Sequence, residues 1–284
     1  MYKVDHTGRD PGAMSRLIDH LPEPPCVREK KVIVTSRSRS GTFSLYQALK
    51  MLGYKPYHMY EVVQSTAHMG IFEEAMNAKY FGVGKPYGKA EFDKWFADYD
   101  TLVEIPAFFI EEIIAAYPDA TFIHVDRDVE KWATSMTNIL GTLEPLLDAI
   151  SMKFMATYDL FIRRYLSLHV MLLRVLCHER KTSDPVGRKM MKADYLALTE
   201  QVKRLVPKDK LGYFSLEDGF GWEQICPHLG KPIPDQQYPR GNAPKEFNDL
   251  TKKLLDPCFK KAAAIVITTV LVPIVGFSAW IYRS

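Results

Sequence analysis

The sequence predicts an α/β fold of three layers, a sheet of mainly parallel strands with flanking helices, plus a C-terminal transmembrane helix. Three observations lead there. Short β-branched or apolar runs alternate with stretches of helical periodicity between residues 31 and 229. The first run, Lys31-Val32-Ile33-Val34-Thr35, leads through a polar turn, Ser36 to Ser44, into a helix former, Leu45 to Leu52, with no Gly or Pro. Near the other end, Ala262 to Tyr282 carries no charge at all.

Residues 1–30 are polar and Pro-rich, an irregular lead-in. The first strand–turn–helix unit closes at Gly53, and Tyr54 to Met59 reads as a short extended segment. Residues 61–81 look helical, Gly82 to Gly88 is a loop, and Ala90 to Asp98 is a short helix. Asp100 to Ile105 reads as a second strand ended by Pro106, with a helix over Ala107 to Ala116. After the turn Tyr117-Pro118-Asp119-Ala120, Thr121 to Val125 is a third, buried strand, and Asp126 or Asp128 caps a helix starting near Val129. Leu143 to Arg180 is mostly helix former; Lys181 to Gly187 breaks it, and Arg188 to Leu205 is amphipathic. Leu211 to Leu216 is a fourth strand, Trp222 to Leu229 a short helix, 231–245 an irregular Pro-rich stretch, and Asn248 to Leu255 a helix. The expected organisation is a lead-in (1–30), a catalytic domain (31–255) and a tail (256–284).

Composition excludes several classes. A net charge of +3 gives no nucleic-acid footprint. Cys26, Cys177, Cys226 and Cys258 form no CxxC pair and have no His at metal-ligand spacing, so free thiols, no bound metal and a reducing compartment are expected. The N-terminus has no apolar core for a signal peptide. Residues 262–282 are long enough to cross a bilayer as a helix, with Lys260 and Lys261 before them and Trp280 and Tyr282 placed for an interface. A buried core helix or a docked sticky tail is the alternative. The spanning reading predicts a tail anchor in a membrane such as the endoplasmic reticulum, with the catalytic domain in the cytosol.

The turn Ser36 to Ser44 is suited to an anion. Its backbone N–H groups and the following helix N-terminus attract negative charge, and Arg39 adds a full positive charge. Gly41 lets the backbone approach a ligand, and Ser40, Thr42 and Ser44 offer hydroxyls. A polar turn with an ordinary helix cap is the plain alternative. Arg127 stands at the carboxyl end of the third strand, where open α/β sheets bind ligands, and Ser135 lies about two turns on, at ~3.6 residues per turn. Together they can grip a phosphate from two sides; Arg127 could instead pair with Asp126 or Asp128. Glu104, at the end of the second strand, can act as a general base or be a solvated charge. His58 is a further candidate base, whereas His124, inside a buried strand, reads as a core histidine. Phe122 to Asp126 resembles a magnesium-holding Walker B, but the turn lacks the Walker lysine after its glycine and suits a terminal anion better than a triphosphate.

Arg39-Ser40-Gly41-Thr42, Arg127 with Ser135, and LEDG at 216–219 before a Trp-led helix and LGKPIP resemble the P-loop sulfotransferases. YHM at 57–59, EIPAFF at 104–109, AAYPDATFIHVDRD at 115–128 and KW at 131–132 are most similar to a fungal and animal branch of that family. The resemblance implies a P-loop-type sheet and metal-free transfer of a sulfuryl group from 3′-phosphoadenosine 5′-phosphosulfate (PAPS) to a hydroxyl or amine. It implies that Arg39, Ser40, Gly41, Thr42, Phe43 and Ser44 hold the phosphosulfate, that Arg127 and Ser135 hold the 3′-phosphate, and that Glu104 is the base. The expected partners are a small apolar acceptor and the lipid bilayer. Two rival functions keep the fold: a lyase, cyclase or kinase-like enzyme gripping another phosphate ester, and a non-catalytic, membrane-tethered binding protein.

Overall fold

The computed structural model describes residues 15–240 and 243–266. A 3-10 turn, Leu17–His20, leads to β1 (Val32–Val34) and α1 (Thr42–Met51). Then follow β2 (Pro56–Tyr57), α2 (Met59–Val63), α3 (Thr66–Phe81), α4 (Lys89–Trp95), β3 (Thr101–Val103), α5 (Ile110–Ala116) and β4 (Thr121–Asp126). A helical block, α6 (Val129–Asp148), α7 (Ile150–Tyr158), α8 (Leu160–Cys177) and α9 (Pro185–Leu205), precedes β5 (Leu211–Ser215), α10 (Trp222–His228) and α11 (Ala243–Val266).

Among the described residues five strands pair in parallel in the order β2-β3-β1-β4-β5. Alternation of side chains along each strand splits the core into two. Val32, Val34, Ile123 and Val125 face Leu45 and Leu49 of α1 and Ile225 of α10. Ile33, Leu102 and Phe122 face the larger layer built from α3 to α9. The chain leaves β1 in one direction to reach β2 and crosses back over β1 between β3 and β4. Right-handed crossovers then put α1 on one face and α5 on the other, so the loop after β1 lies at a topological switch point. β1, β2 and β3 are short and fully buried, so truncating Ile33 to Ala costs ~2–5 kcal/mol.

Several sequence expectations are corrected. The helix expected over 61–81 is two helices, because Ser65 caps α3 by accepting from the His68 N–H. The block 143–180 is three elements, with Ala149 and Asp159 in extended conformation between them. Asp159 starts α8 by accepting from Phe161 and Ile162 N–H groups. Asp128, rather than Asp126, caps α6. The helix expected over 248–255 is longer, from 243 to 266. No helix among the described residues is long and apolar enough to cross a membrane, and most of the expected span, from residue 267 on, lies outside them. Cys26, Cys177, Cys226 and Cys258 are all free thiols.

Candidate active site

The turn after β1 is pegged to β4 by side chains that a strand end leaves to hand. Val125 N–H donates to Ser36 Oγ at 2.7 Å, and Thr35 Oγ1 lies 2.9 Å from His124 Nδ1. His124 also meets Thr199, and burial pushes its pKa down to about 4, so it is the neutral core histidine the sequence suggests. Trp132 Nε1 donates to the Ser38 carbonyl at 2.8 Å, fastening the turn to α6. Arg39 and Gly41 both take left-handed backbone conformations. At Gly41 a Cβ would also meet Leu216 Cδ1 at 2.9 Å, a contact the flexible Leu216 side chain can relieve, so the positive φ is the stronger reason for glycine. Gly41 is the N-cap of α1 and supplies no side chain; the first N–H groups of α1 are left for a ligand or solvent. Thr42 is buried at the first position of α1, with Phe43 and Ser44 half-buried behind it.

Arg39, Arg127 and Ser135 meet beside this helix end. Arg39 Nε donates to Ser135 Oγ at 3.0 Å, and Arg127 Nη1 donates to the Arg39 carbonyl at 2.6 Å. Sequence reasoning paired Ser135 with Arg127; the direct bond is to Arg39, and all three form one cluster. The Arg127 guanidinium does not pair with Asp126 or Asp128, as the alternative had it. Its nearest carboxylate is Glu217, 4.0 Å away, and its buried Nε has no hydrogen-bond partner. Burial and the neighbouring Arg127 lower the Arg39 pKa, against the pull of Glu104. Two guanidinium groups sharing a half-enclosed space gain from an anion between them.

Glu104 lies one residue beyond β3, buried, with φ 72°. It is therefore not a solvated charge. A non-glycine residue held at that φ is strained, and such strain is kept where the surroundings over-determine it. His58 Nε2 is 2.5 Å from Glu104 Oε2, a close but off-line contact. Burial alone would raise the Glu104 carboxyl, but His58, Ser38 and Arg39 outweigh it and hold its pKa below the ordinary value. His58 caps α2, and its Nδ1 accepts from the Tyr60 N–H at 3.0 Å. A backbone N–H can only donate, so Nδ1 keeps its lone pair and the ring proton sits on Nε2, towards Glu104. The Phe43, Tyr46 and Tyr60 rings lie within 5.2–6.2 Å of one another or of the His58 ring.

The structure thus brings together every sequence-chosen site residue. It adds Tyr195, which sequence reasoning missed. The Tyr195 hydroxyl donates to Asp126 Oδ1 at 2.9 Å, accepts from Arg127 N–H at 2.8 Å and lies 3.3 Å from Ser40 Oγ. Its ring stacks on Trp132 at 4.3 Å. Asp126, the candidate Walker aspartate, has its second oxygen taken by Tyr213. Arg37, buried, pairs with Asp194 at 2.8 Å, fixing the turn to α9 from a second point.

A family model described as a sulfotransferase domain matches residues 31–247. The chain belongs to the sulfotransferase domain family. The match begins one residue before β1 and runs past α10, so it takes in all five strands and every residue of the cluster. A curated relative, "Ava biosynthesis cluster protein M" of Aspergillus versicolor, is 37% identical over 215 residues, 74% of this chain and 79% of its own length. A solved sulfotransferase from Alicyclobacillus acidocaldarius covers 84% of this chain and 95% of its own, at 13% identity and a TM-score of 0.42, too distant to argue from. The family match of this sulfotransferase-domain protein takes in the turn Ser36 to Ser44 and the neighbours described above.

Proposed function

We propose that this sulfotransferase-domain chain moves a sulfuryl group from PAPS to a hydroxyl or amine of a small, apolar acceptor, with Glu104 as the general base. One observation carries the reading. Two arginines, 39 and 127, converge on the side-chain-free N-terminus of α1, and among the described residues neither has a carboxylate nearer than 4.0 Å. The residues present fit PAPS: Arg127 Nε is buried without a hydrogen-bond partner, and Gly41 caps α1 with no side chain of its own.

The division of labour follows from charge. The turn 39–44 would hold the donor's phosphosulfate, and Arg127 with Ser135 its 3′-phosphate. Glu104, ionised because His58, Ser38 and Arg39 favour its charge, takes the acceptor proton as the acceptor's lone pair attacks sulfur. The sulfur–oxygen bond to the phosphate breaks, and Arg39 with the end of α1 stabilises the charge left on that oxygen. Arg39 does this as a fixed cation, since a guanidinium does not release its proton. The positive charge comes from the protein, so the step needs no metal. His58 serves as an Nε2–H neighbour that orients Glu104 rather than as the base itself. The aromatic side chains beside His58 support an apolar acceptor, and the relative's naming for a biosynthesis cluster supports a small metabolite.

Incubation with sulfur-labelled PAPS and a panel of phenols, alcohols and amines tests the reading. The expected result is label in an acceptor, with release of adenosine 3′,5′-bisphosphate, lost in Glu104→Gln. Binding of adenosine 3′,5′-bisphosphate with no transfer to any acceptor in the panel, or transfer undiminished in Glu104→Gln, would refute it.

A further inference from the structure

The described residues expose few large apolar side chains together, and the exception is α7. Ile150 (84% exposed), Phe154 (54%) and Tyr158 (68%) recur every fourth residue, and Leu160 (48%) follows at the start of α8. Spacing of four puts them on one face of the helix, a stripe ~12 Å long at ~1.5 Å per residue. The opposite face is used normally: Met152 and Met155 are buried in the core. Isolated exposed hydrophobics are ordinary, but a contiguous stripe marks a contact surface.

Two further observations say what the contact is. Lys261 Nζ lies 3.2 Å from Asp159 Oδ2, so α11 reaches the α7–α8 junction at residue 261. In the sequence, the uncharged run 262–282 begins at the next residue. The stripe therefore stands where the chain enters its longest apolar segment. Basic side chains stand close to it along the chain: Lys153 on α7, Arg163 on α8, and Lys260 and Lys261 on α11 are all exposed, with Lys261 paired to Asp159. An amphipathic helix with aromatic and aliphatic residues on one side and cations around it is the pattern of a surface lying in a lipid interface.

We propose that the α7 face, Ile150-Phe154-Tyr158 with Leu160, docks into the surface of a lipid bilayer carrying anionic headgroups, beside the point where residues 262–282 meet the same bilayer. Docking at two points fixes the orientation of the catalytic domain on the membrane, which a tail alone would leave free to rotate.

The test uses the full-length chain and vesicles of phosphatidylcholine and phosphatidylserine, 4:1. Photo-crosslinking is carried out from single positions, Phe154→p-benzoylphenylalanine and Ile150→p-benzoylphenylalanine. Leu196→p-benzoylphenylalanine serves as control, an equally exposed apolar position on α9. The expected product is a phospholipid adduct at 150 and 154 in several-fold excess over 196. All replaced side chains are exposed, so the fold is retained, as a thermal melt would verify. An adduct with residues 262–284 of the same chain would mean the tail itself covers the stripe; an adduct with a second copy would mean a dimer interface. Either result overturns the proposal, as does equal lipid labelling at 154 and 196 or failure of the chain to float with the vesicles.

Discussion

His58 Nε2 and Glu104 Oε2 lie 2.5 Å apart in a buried pocket behind the turn after β1. The Tyr60 N–H fixes the tautomer of His58 with its ring proton on the Glu104 side, which is why we propose Glu104 rather than His58 as the base. Glu104 should be ionised throughout the neutral range, because its pKa is depressed below the ordinary 4.5 by His58, Ser38 and Arg39 despite burial. The acid limb of kcat/KM is expected below that ordinary value, and His58→Gln should move it to higher pH by removing the main support of the charge. Glu104→Gln should lower kcat ~10²–10⁴-fold. A limb that follows an ordinary histidine and disappears in His58→Gln would assign the base to His58 instead.

Gly41 faces two constraints, φ 77° and the approach of Leu216. Gly41→Ala should cost ~1–3 kcal/mol of stability through the backbone alone and weaken binding of adenosine 3′,5′-bisphosphate as the turn shifts. Adding Leu216→Ala should restore part of the loss, since it removes the clash but not the strain. Thermal melts of the single and double variants, read as a mutant cycle, decide this.

Tyr195 ties Asp126, Arg127 and Ser40 together with one hydroxyl. Tyr195→Phe keeps the stack on Trp132 and deletes only the oxygen, so a loss of ~1–3 kcal/mol in stability is expected from the groups left short of partners. The same variant should loosen nucleotide binding without changing the pH profile. An unchanged melting temperature would show that the hydroxyl is dispensable.

The turn itself was legible because all of its determinants are local: a β-branched strand, small polar residues, Gly41 and a helix former within some twenty positions. Arg127 and Glu104 were legible as residue types at strand ends, and Ser135 by its spacing along the helix that follows Arg127. Tyr195 and Asp194 were not, because they reach the turn from α9, more than 150 residues along the chain, and nothing in their neighbourhood distinguishes them from an amphipathic helix. The breaks at Ser65 and Asp159 were hidden for another reason. Both depend on a single capping side chain inside a continuous helical periodicity. Positive φ at Glu104 leaves no mark in a sequence where a glycine would have signalled it.

Two buried histidines make the fold acid-sensitive. Burial lowers His124 and His169 from the ordinary 6.5 to about 4, so each stays neutral when folded and protonates more readily when unfolded. Their contribution to stability is whole above about pH 6.5 and is lost as pH falls towards about 4, roughly 3 kcal/mol apiece over the full shift. Chemical denaturation between pH 7 and 4 should show a steep decline that is reduced in His124→Gln. A flat profile across that window would contradict the assignment.

The central claim is that Arg39, Arg127 and the open end of α1 form a site for the nucleotide of PAPS. Calorimetric titration of adenosine 3′,5′-bisphosphate into the full chain, without divalent cations, tests it most directly. The account predicts one site, weakened tenfold or more in Arg127→Ala and less in Arg39→Ala, whose main loss falls on turnover. No heat at millimolar nucleotide, or binding that appears only when magnesium is added, would contradict it.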